Sequence, residues 1–279
     1  MKVKNIMSAP VYVVGSDETV ARARNLMLRH KIGSILVVDG QTIAGIFTKS
    51  DLKTRLFEEE AAWKRRPIDQ IPIKSLCSTD VITISPNASV SEAAQIMTCQ
   101  KIDHLPVVDK EIMGIVSKTD IIRLVSDGGI GHEQQVSDFM CETAVTVNTN
   151  HTINHIIGEM EKNDVQKVIV MDNNAKAVGI VSLKDLSAND LIEGNGRKKE
   201  KPSKKPKVRR SSMDLPFIAE DLMTPIITVD VSASVSIAAK KIIDNEVTSL
   251  PVTRNGKIAG MISRDDIIRS ISESVECDE

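Results

Sequence analysis

Gly114-Ile115-Val116-Ser117-Lys118-Thr119-Asp120 decides how this chain is read, because the same pattern returns three more times. The other copies are Gly45-Ile46-Phe47-Thr48-Lys49-Ser50-Asp51, Gly179-Ile180-Val181-Ser182-Leu183-Lys184-Asp185 and Gly260-Met261-Ile262-Ser263-Arg264-Asp265-Asp266. Each runs glycine, two apolar residues, serine or threonine, two variable residues, aspartate. A single copy would carry little information. Four copies in one register, with the glycines 69, 65 and 81 positions apart, mark an internal repeat.

Working outward, each copy is preceded by a short apolar run. These are Ile35-Leu36-Val37-Val38-Asp39, Leu105-Pro106-Val107-Val108-Asp109, Val168-Ile169-Val170-Met171-Asp172 and Leu250-Pro251-Val252-Thr253-Arg254. Turn signals such as Asp39-Gly40 and Asn255-Gly256 follow, so each repeat is expected to hold a hairpin whose second strand carries the glycine motif. Further upstream, apolar residues fall at helical spacing, as in Val90, Ala93, Ala94 and Met97. Thr19, Ser89, Thr152 and Ser234 stand at the N-cap of that helix, and Ser89 with Glu92 has the spacing of a capping box. A short strand precedes it at Val11–Val14, Val81–Ile84, Ala144–Val147 and Ile226–Val229. A second helix starts at each Ser/Thr-x-x-Asp. One repeat is therefore β-α-β-β-α, and the fold class is α/β (α+β).

The longer last interval has a visible cause. Arg197–Arg210 holds nine basic residues and one acidic residue in fourteen, with almost nothing to bury, and is read as a disordered linker. Aromatics are 2 % of the chain, so the core must be aliphatic. No stretch reaches the length of a membrane span, and the first residues lack the apolar run of a signal peptide. A cytoplasmic protein with no membrane partner is expected. Cys77, Cys99, Cys141 and Cys277 have no zinc-type spacing and read as four thiols in a reducing compartment. Trp63 lies in a connector that reads as helical.

The repeated pattern resembles the CBS domain family, named for cystathionine β-synthase, over nearly the whole chain apart from the basic linker and a few end residues. That resemblance implies that repeats pair into Bateman modules. Module 1 would cover 1–126, with repeats at 3–56 and 73–126. Module 2 would cover 135–279, with repeats at 135–192 and 216–273 and the linker at 194–214. The four-repeat arrangement resembles the γ subunit of AMP-activated protein kinase and its stand-alone microbial relatives. By that resemblance the chain binds AMP, ADP or ATP, and S-adenosylmethionine is the alternative ligand.

Residues carry over position by position. Asp51, Asp120, Asp185 and Asp266 match the family's ribose-binding carboxylate, which suits two vicinal hydroxyls. Thr48, Ser117, Ser182 and Ser263 match the phosphate side, at a helix N-terminus where backbone N–H groups favour anions. Lys49, Lys118 and Arg264 follow directly. His104 and Lys167 match the basic position before the next strand. Thr83-Ile84, Thr146-Val147 and Thr228-Val229 match the adenine side; the first repeat departs there, with Val13-Val14. Beside this stands a plainer reading: Ser/Thr-x-x-Asp is also a helix cap, and capping alone would preserve the pattern.

Three function classes follow. The first is a regulatory sensor that changes conformation on ligand binding and acts on a protein partner, with self-association into a homodimer compatible with the sequence. The second is an enzyme. The chain shows no nucleophile–base pair, Walker motif or metal signature, so neither catalysis nor a catalytic cofactor or metal is expected. The third is a nucleic-acid-associated protein working through the basic linker by counterion release. That linker also reads as a solvated connector, and it has no interleaved aromatics to stack bases.

Overall fold

The computed structural model describes residues 1–52, 67–131, 133–183 and 217–272. Trp63, Asp185, the basic run 197–210 and Cys277 lie outside the described residues. The chain divides into two compact units, Met1–His132 with Arg264–Glu279, and Glu133–Ser263.

In the first unit, β1 (Val13–Gly15) leads to α1 (Val20–Arg29), β2 (Ser34–Asp39) and β3 (Thr42–Thr48). β1 pairs parallel with β2, and β2 antiparallel with β3. The Asp39-Gly40 turn works because Gly40 adopts φ +62. The second repeat supplies α2 (Val90–Cys99), β4 (His104–Asp109), β5 (Glu111–Ser117) and α3 (Lys118–Ser126). Its expected first strand shrinks to one parallel bridge, Ile84 to Val107. All four hairpins carry a register shift at the same place, opposite the motif glycine's strand. One core of this unit holds Val14, Ala23, Met27, Ile35, Val37 and Phe47, aliphatic except for one ring.

In the second unit, α4 (Val136–Phe139), β6 (Thr146–Asn148), α5 (Ile153–Lys162), β7 (Lys167–Met171) and β8 (Ala177–Ser182) form the third repeat. α6 (Ala219–Leu222), β9 (Thr224–Pro225), β10 (Val229–Asp230), α7 (Val235–Asp244), β11 (Ser249–Arg254) and β12 (Lys257–Ser263) belong to the fourth. Val147, Ile156, Met160, Val168, Val170 and Val181 form its core. The chain then enters α8 (Arg264–Ile271). By sequence α8 closes the fourth repeat, but by packing it belongs to the first unit. There Ile267 and Ile268 are fully buried, and α8 lies against α2 and α3.

The caps form where the sequence placed them. Thr19, Ser89, Thr152 and Ser234 each accept from the backbone N–H three residues on. Ser89 makes only its half of the expected box with Glu92; the reciprocal box stands at Ser117 and Asp120. The cysteines do not all remain thiols. Cys77 and Cys141 are free, whereas Cys99, the last residue of α2, is disulfide-bonded. Sequence spacing could exclude a local pair but not one made by tertiary approach.

The motif glycines are where repeats meet. The segment entering the first repeat exchanges two backbone hydrogen bonds with the second repeat's hairpin, Ser8 N–H to Ile115 O at 2.8 Å and Ile115 N–H to Ser8 O at 3.1 Å. The second repeat returns the same pair between Ser78 and Ile46. In the second unit Cys141 pairs with Met261, and Thr224 with Ile180. These partners are the residues next to Gly114, Gly45, Gly260 and Gly179. A Cβ on Gly114 would lie 2.6 Å from Met7 Sδ, and one on Gly260 would lie 2.2 Å from the Cys141 carbonyl oxygen. Glycine recurs because the paired repeat fills the space of a side chain, with the Cys77, Met7 and Met223 side chains at Gly45, Gly114 and Gly179 and with backbone at Gly260.

Candidate ligand-binding sites

In the first, second and fourth repeats the Ser/Thr-x-x-Asp sits where a hairpin strand ends and a helix begins, and Ser182 of the third ends β8. At the second repeat, Ser117 N–H and Oγ–H both donate to Asp120 Oδ2, at 2.9 and 2.6 Å, and Asp120 N–H donates back to Ser117 Oγ at 3.3 Å. The first repeat reproduces this between Thr48 and Asp51, at 2.7, 2.8 and 3.4 Å. Capping thus occupies one carboxylate oxygen. The other, Asp120 Oδ1, lies 3.8 Å from Arg123, with the Asp120 side chain 13 % exposed. In α8, Asp266 Oδ1 receives Arg269 at 2.8 Å. These Asp-x-x-Arg pairs were readable in the sequence as an i, i+3 spacing.

The backbone N–H groups expected to await a phosphate are largely engaged. Lys118 N–H donates to Asp103 O at 3.0 Å, Lys49 N–H to Gly33 O at 3.1 Å, and Leu183 N–H to Gln166 O at 2.9 Å. With Ser117 and Asp120 also bonded, side chains must supply most donors to an anion. Lys49 is exposed. Lys118 is not: its side chain is 15 % exposed, and Nζ lies 2.8 Å from Asp103 and 2.7 Å from Asp265. Both carboxylates raise its pKa against the opposing effect of burial, the largest single influence. Arg264 lies half-buried beside Asp103 and Asp265. Ser182 and Ser263 end β8 and β12 in the second unit.

The adenine-side pairs divide by face. Ile84, Val147 and Val229 send their side chains into the core, at 4, 3 and 1 % exposure, so only their backbone could meet a ligand. Thr83 and Thr146 are exposed, and Thr228 half-buried. The Thr228 carbonyl already accepts from Lys241 Nζ at 2.7 Å. In the first repeat Tyr12, beside Val13-Val14, stacks on His30 with ring centroids 4.0 Å apart.

The two basic candidates meet the opposite repeat of their own unit. His104 lies against Gly33, where an added Cβ would stand 3.5 Å from Nε2. Burial pushes its imidazole pKa down, against Asp103 and Asp120. Lys167 Nζ donates to Thr248 Oγ1 and, at 2.7 Å, to Ser249 Oγ. Asp103, Asp265, Thr248 and Ser249 were not anticipated as partners. Their roles depend on contacts that bridge 15 to 147 positions of sequence. Among the described residues no group of three or more His, Cys, Asp and Glu could hold a metal, and no helix is long and apolar enough to cross a membrane.

Four repeats built on one helix-and-hairpin plan that pair beside their motif glycines, with a capped carboxylate at the helix start in the first and the second, define a tandem-repeat module. The chain belongs to the CBS domain family, whose profile matches residues 3–58, 73–127, 136–190 and 219–273. An uncharacterized protein of Methanocaldococcus jannaschii is 25 % identical over 97 % of this chain, which spans 62 % of that relative's length. The CBS domain-containing protein YhcV of Bacillus subtilis is 31 % identical over 43 % of this chain and 81 % of its own. Among solved structures, an uncharacterized conserved protein from Pyrococcus horikoshii superposes with TM-score 0.67 at 19 % identity, covering 97 % of this chain and all of its own. An M. jannaschii protein proposed as an archaeal homologue of γ-AMPK gives TM-score 0.64 at 19 % identity over 98 % of this chain and all of its own. These likenesses extend the shared fold over all four repeats.

Proposed function

We propose that this chain is a regulatory sensor of adenine nucleotides, AMP, ADP or ATP, that acts on a protein partner through a ligand-dependent shift between conformations. Occupation can bias such an equilibrium only by differential affinity for its states. The observation that supports the reading is the divided carboxylate of Asp120 and Asp51. The helix cap uses Oδ2 alone, so capping and ribose binding do not compete for the same oxygen. A ribose then bonds the remaining oxygen of Asp51 or Asp120, with its phosphates facing Thr48 or Ser117 and nearby cations, and Asp185 with Ser182 and Asp266 with Ser263 take the same roles by their place in the motif. In this reading the protein works by binding rather than by turnover.

Calorimetric titration with AMP, ADP, ATP and S-adenosylmethionine tests it. Micromolar binding of a nucleotide, weakened about tenfold (~1.4 kcal/mol) by Asp120→Asn, is expected. Asparagine keeps an acceptor for the Ser117 cap, so folding should fall by only about 1 kcal/mol. Binding of S-adenosylmethionine alone would redirect the reading to a methyl-donor sensor. Binding of none would leave the motifs as caps.

A further inference from the structure

We infer that Lys118 is a ligand-operated latch on the C-terminal helix α8, a step that rests on the nucleotide reading above. Lys118 is the first residue of α3, and it holds two carboxylates at once: Asp103, in the loop entering β4, and Asp265, the second residue of α8. The ammonium is the enclosed member of this bridge, 15 % exposed, while Asp103 and Asp265 are 65 and 75 % exposed. A buried cation left without a counter-charge is costly, whereas an exposed carboxylate that lets go returns to water at little cost. At its other end α8 is tied by Ser91 Oγ–H, which donates to the Ile271 carbonyl at 2.6 Å. Between the two ties lie the buried Ile267 and Ile268.

Lys118 also stands between Ser117 and Asp120, the hydroxyl and carboxylate of the second repeat's candidate site. A phosphate arriving there places a third anion beside one ammonium. Phosphate carries more charge than a carboxylate, and Lys118 is itself largely shielded from water, so phosphate competes well for it. The partner most easily displaced is Asp265. It is the more exposed of the two, and Asp103 stays beside Lys118 through the backbone bond between them. Occupation of the second repeat's site therefore unties the first turn of α8. The next residue is Asp266, the fourth repeat's candidate ribose carboxylate, so the latch also couples one candidate site to a residue of another. A ligand without phosphate leaves the bridge closed.

Hydrogen–deuterium exchange of the intact chain, read on the peptide Arg264–Ser272, tests the latch, with AMP and adenosine as probes and calorimetry run alongside. AMP should raise exchange of this peptide about fivefold, and adenosine, which shares the base and ribose, should not. Lys118→Met should show the raised exchange without ligand and no further response to AMP. Asp265→Asn, a milder surface change, should do the same without disturbing the fold. Heat of AMP binding with no change at α8 overturns the latch and leaves the nucleotide reading standing. Wild-type exchange in Asp265→Asn also overturns the latch. No heat with AMP overturns the latch, and no heat with ADP or ATP either overturns the nucleotide reading as well.

Discussion

The first residue of the hairpin is filled differently in the two units. In the first unit it is Ser34 in one repeat and His104 in the other, and the His104 ring lies against Gly33. In the second unit it is Lys167 and Ser249, with Lys167 Nζ held by hydroxyls of Thr248 and Ser249. The scaffold is the same, the backbone pairing is the same, and one serine is common to both. The other residue is a half-buried imidazole with a lowered pKa in one unit and an ammonium in the other. Paired CBS repeats thus keep a constant frame and vary the charge at its middle. On the nucleotide proposal, Lys167 gives the second unit a cation at the place where the first has His104, whose pKa burial lowers.

Three experiments would break or sharpen this comparison. The largest effect should come from the frame itself, where Gly114 of the first unit and Gly260 of the second are not equally tolerant. A Cβ on Gly114 meets first the end of the Met7 side chain, which can move, while one on Gly260 meets the Cys141 carbonyl at 2.2 Å, which cannot. Denaturant unfolding should show a loss of about 3 kcal/mol or more for Gly260→Ala and about 1–2 kcal/mol for Gly114→Ala. Equal losses would mean that the strand segments yield as readily as side chains.

The next effect is at the centres. Lys167→Met should weaken ATP binding about tenfold, a charge-assisted contact being lost, whereas His104→Leu should change it by less than about threefold. If the two substitutions act alike in calorimetry, the proposed division of labour fails.

The smallest effect is on acid stability. Burial lowers the pKa of His104, so below the ordinary histidine value the unfolded chain binds more protons than the folded one. The stability from His104 is therefore complete above about pH 6.5 and is lost as pH falls below it. His151 is depressed in the same direction by burial and by His155, so wild type alone does not isolate the term. Melting temperature followed from pH ~7.5 to ~5.5 should fall by a few degrees less in His104→Gln than in wild type. Parallel curves would remove His104 as a source of pH dependence.

Much of the fold was legible because its signals are local. The caps at Thr19, Ser89, Thr152 and Ser234 depend on residues three apart, and the hairpins on adjacent turn residues. The first strands were read too long: Val81–Ile84 contributes one bridge, because a parallel edge strand is limited by what its neighbour offers. The candidate site was half legible. The cap between Ser117 and Asp120 lies within one motif, and Arg123 follows Asp120 at helical spacing. The engagement of Lys118 by Asp265 could not be seen, since the two are 147 positions apart.

By itself, then, the sequence determined the repeated helix and hairpin, the caps of that helix, the aliphatic cores and the carboxylate at the next helix start in the first, second and fourth repeats, all set by propensity and spacing along a few residues. Tertiary structure alone decided why the motif begins with glycine, which repeat faces Lys167 and His104, and that α8 packs with the first unit. These depend on which surfaces meet when apolar faces are buried, and Ile267 and Ile268 carry no mark in the chain of the helices they will be buried against.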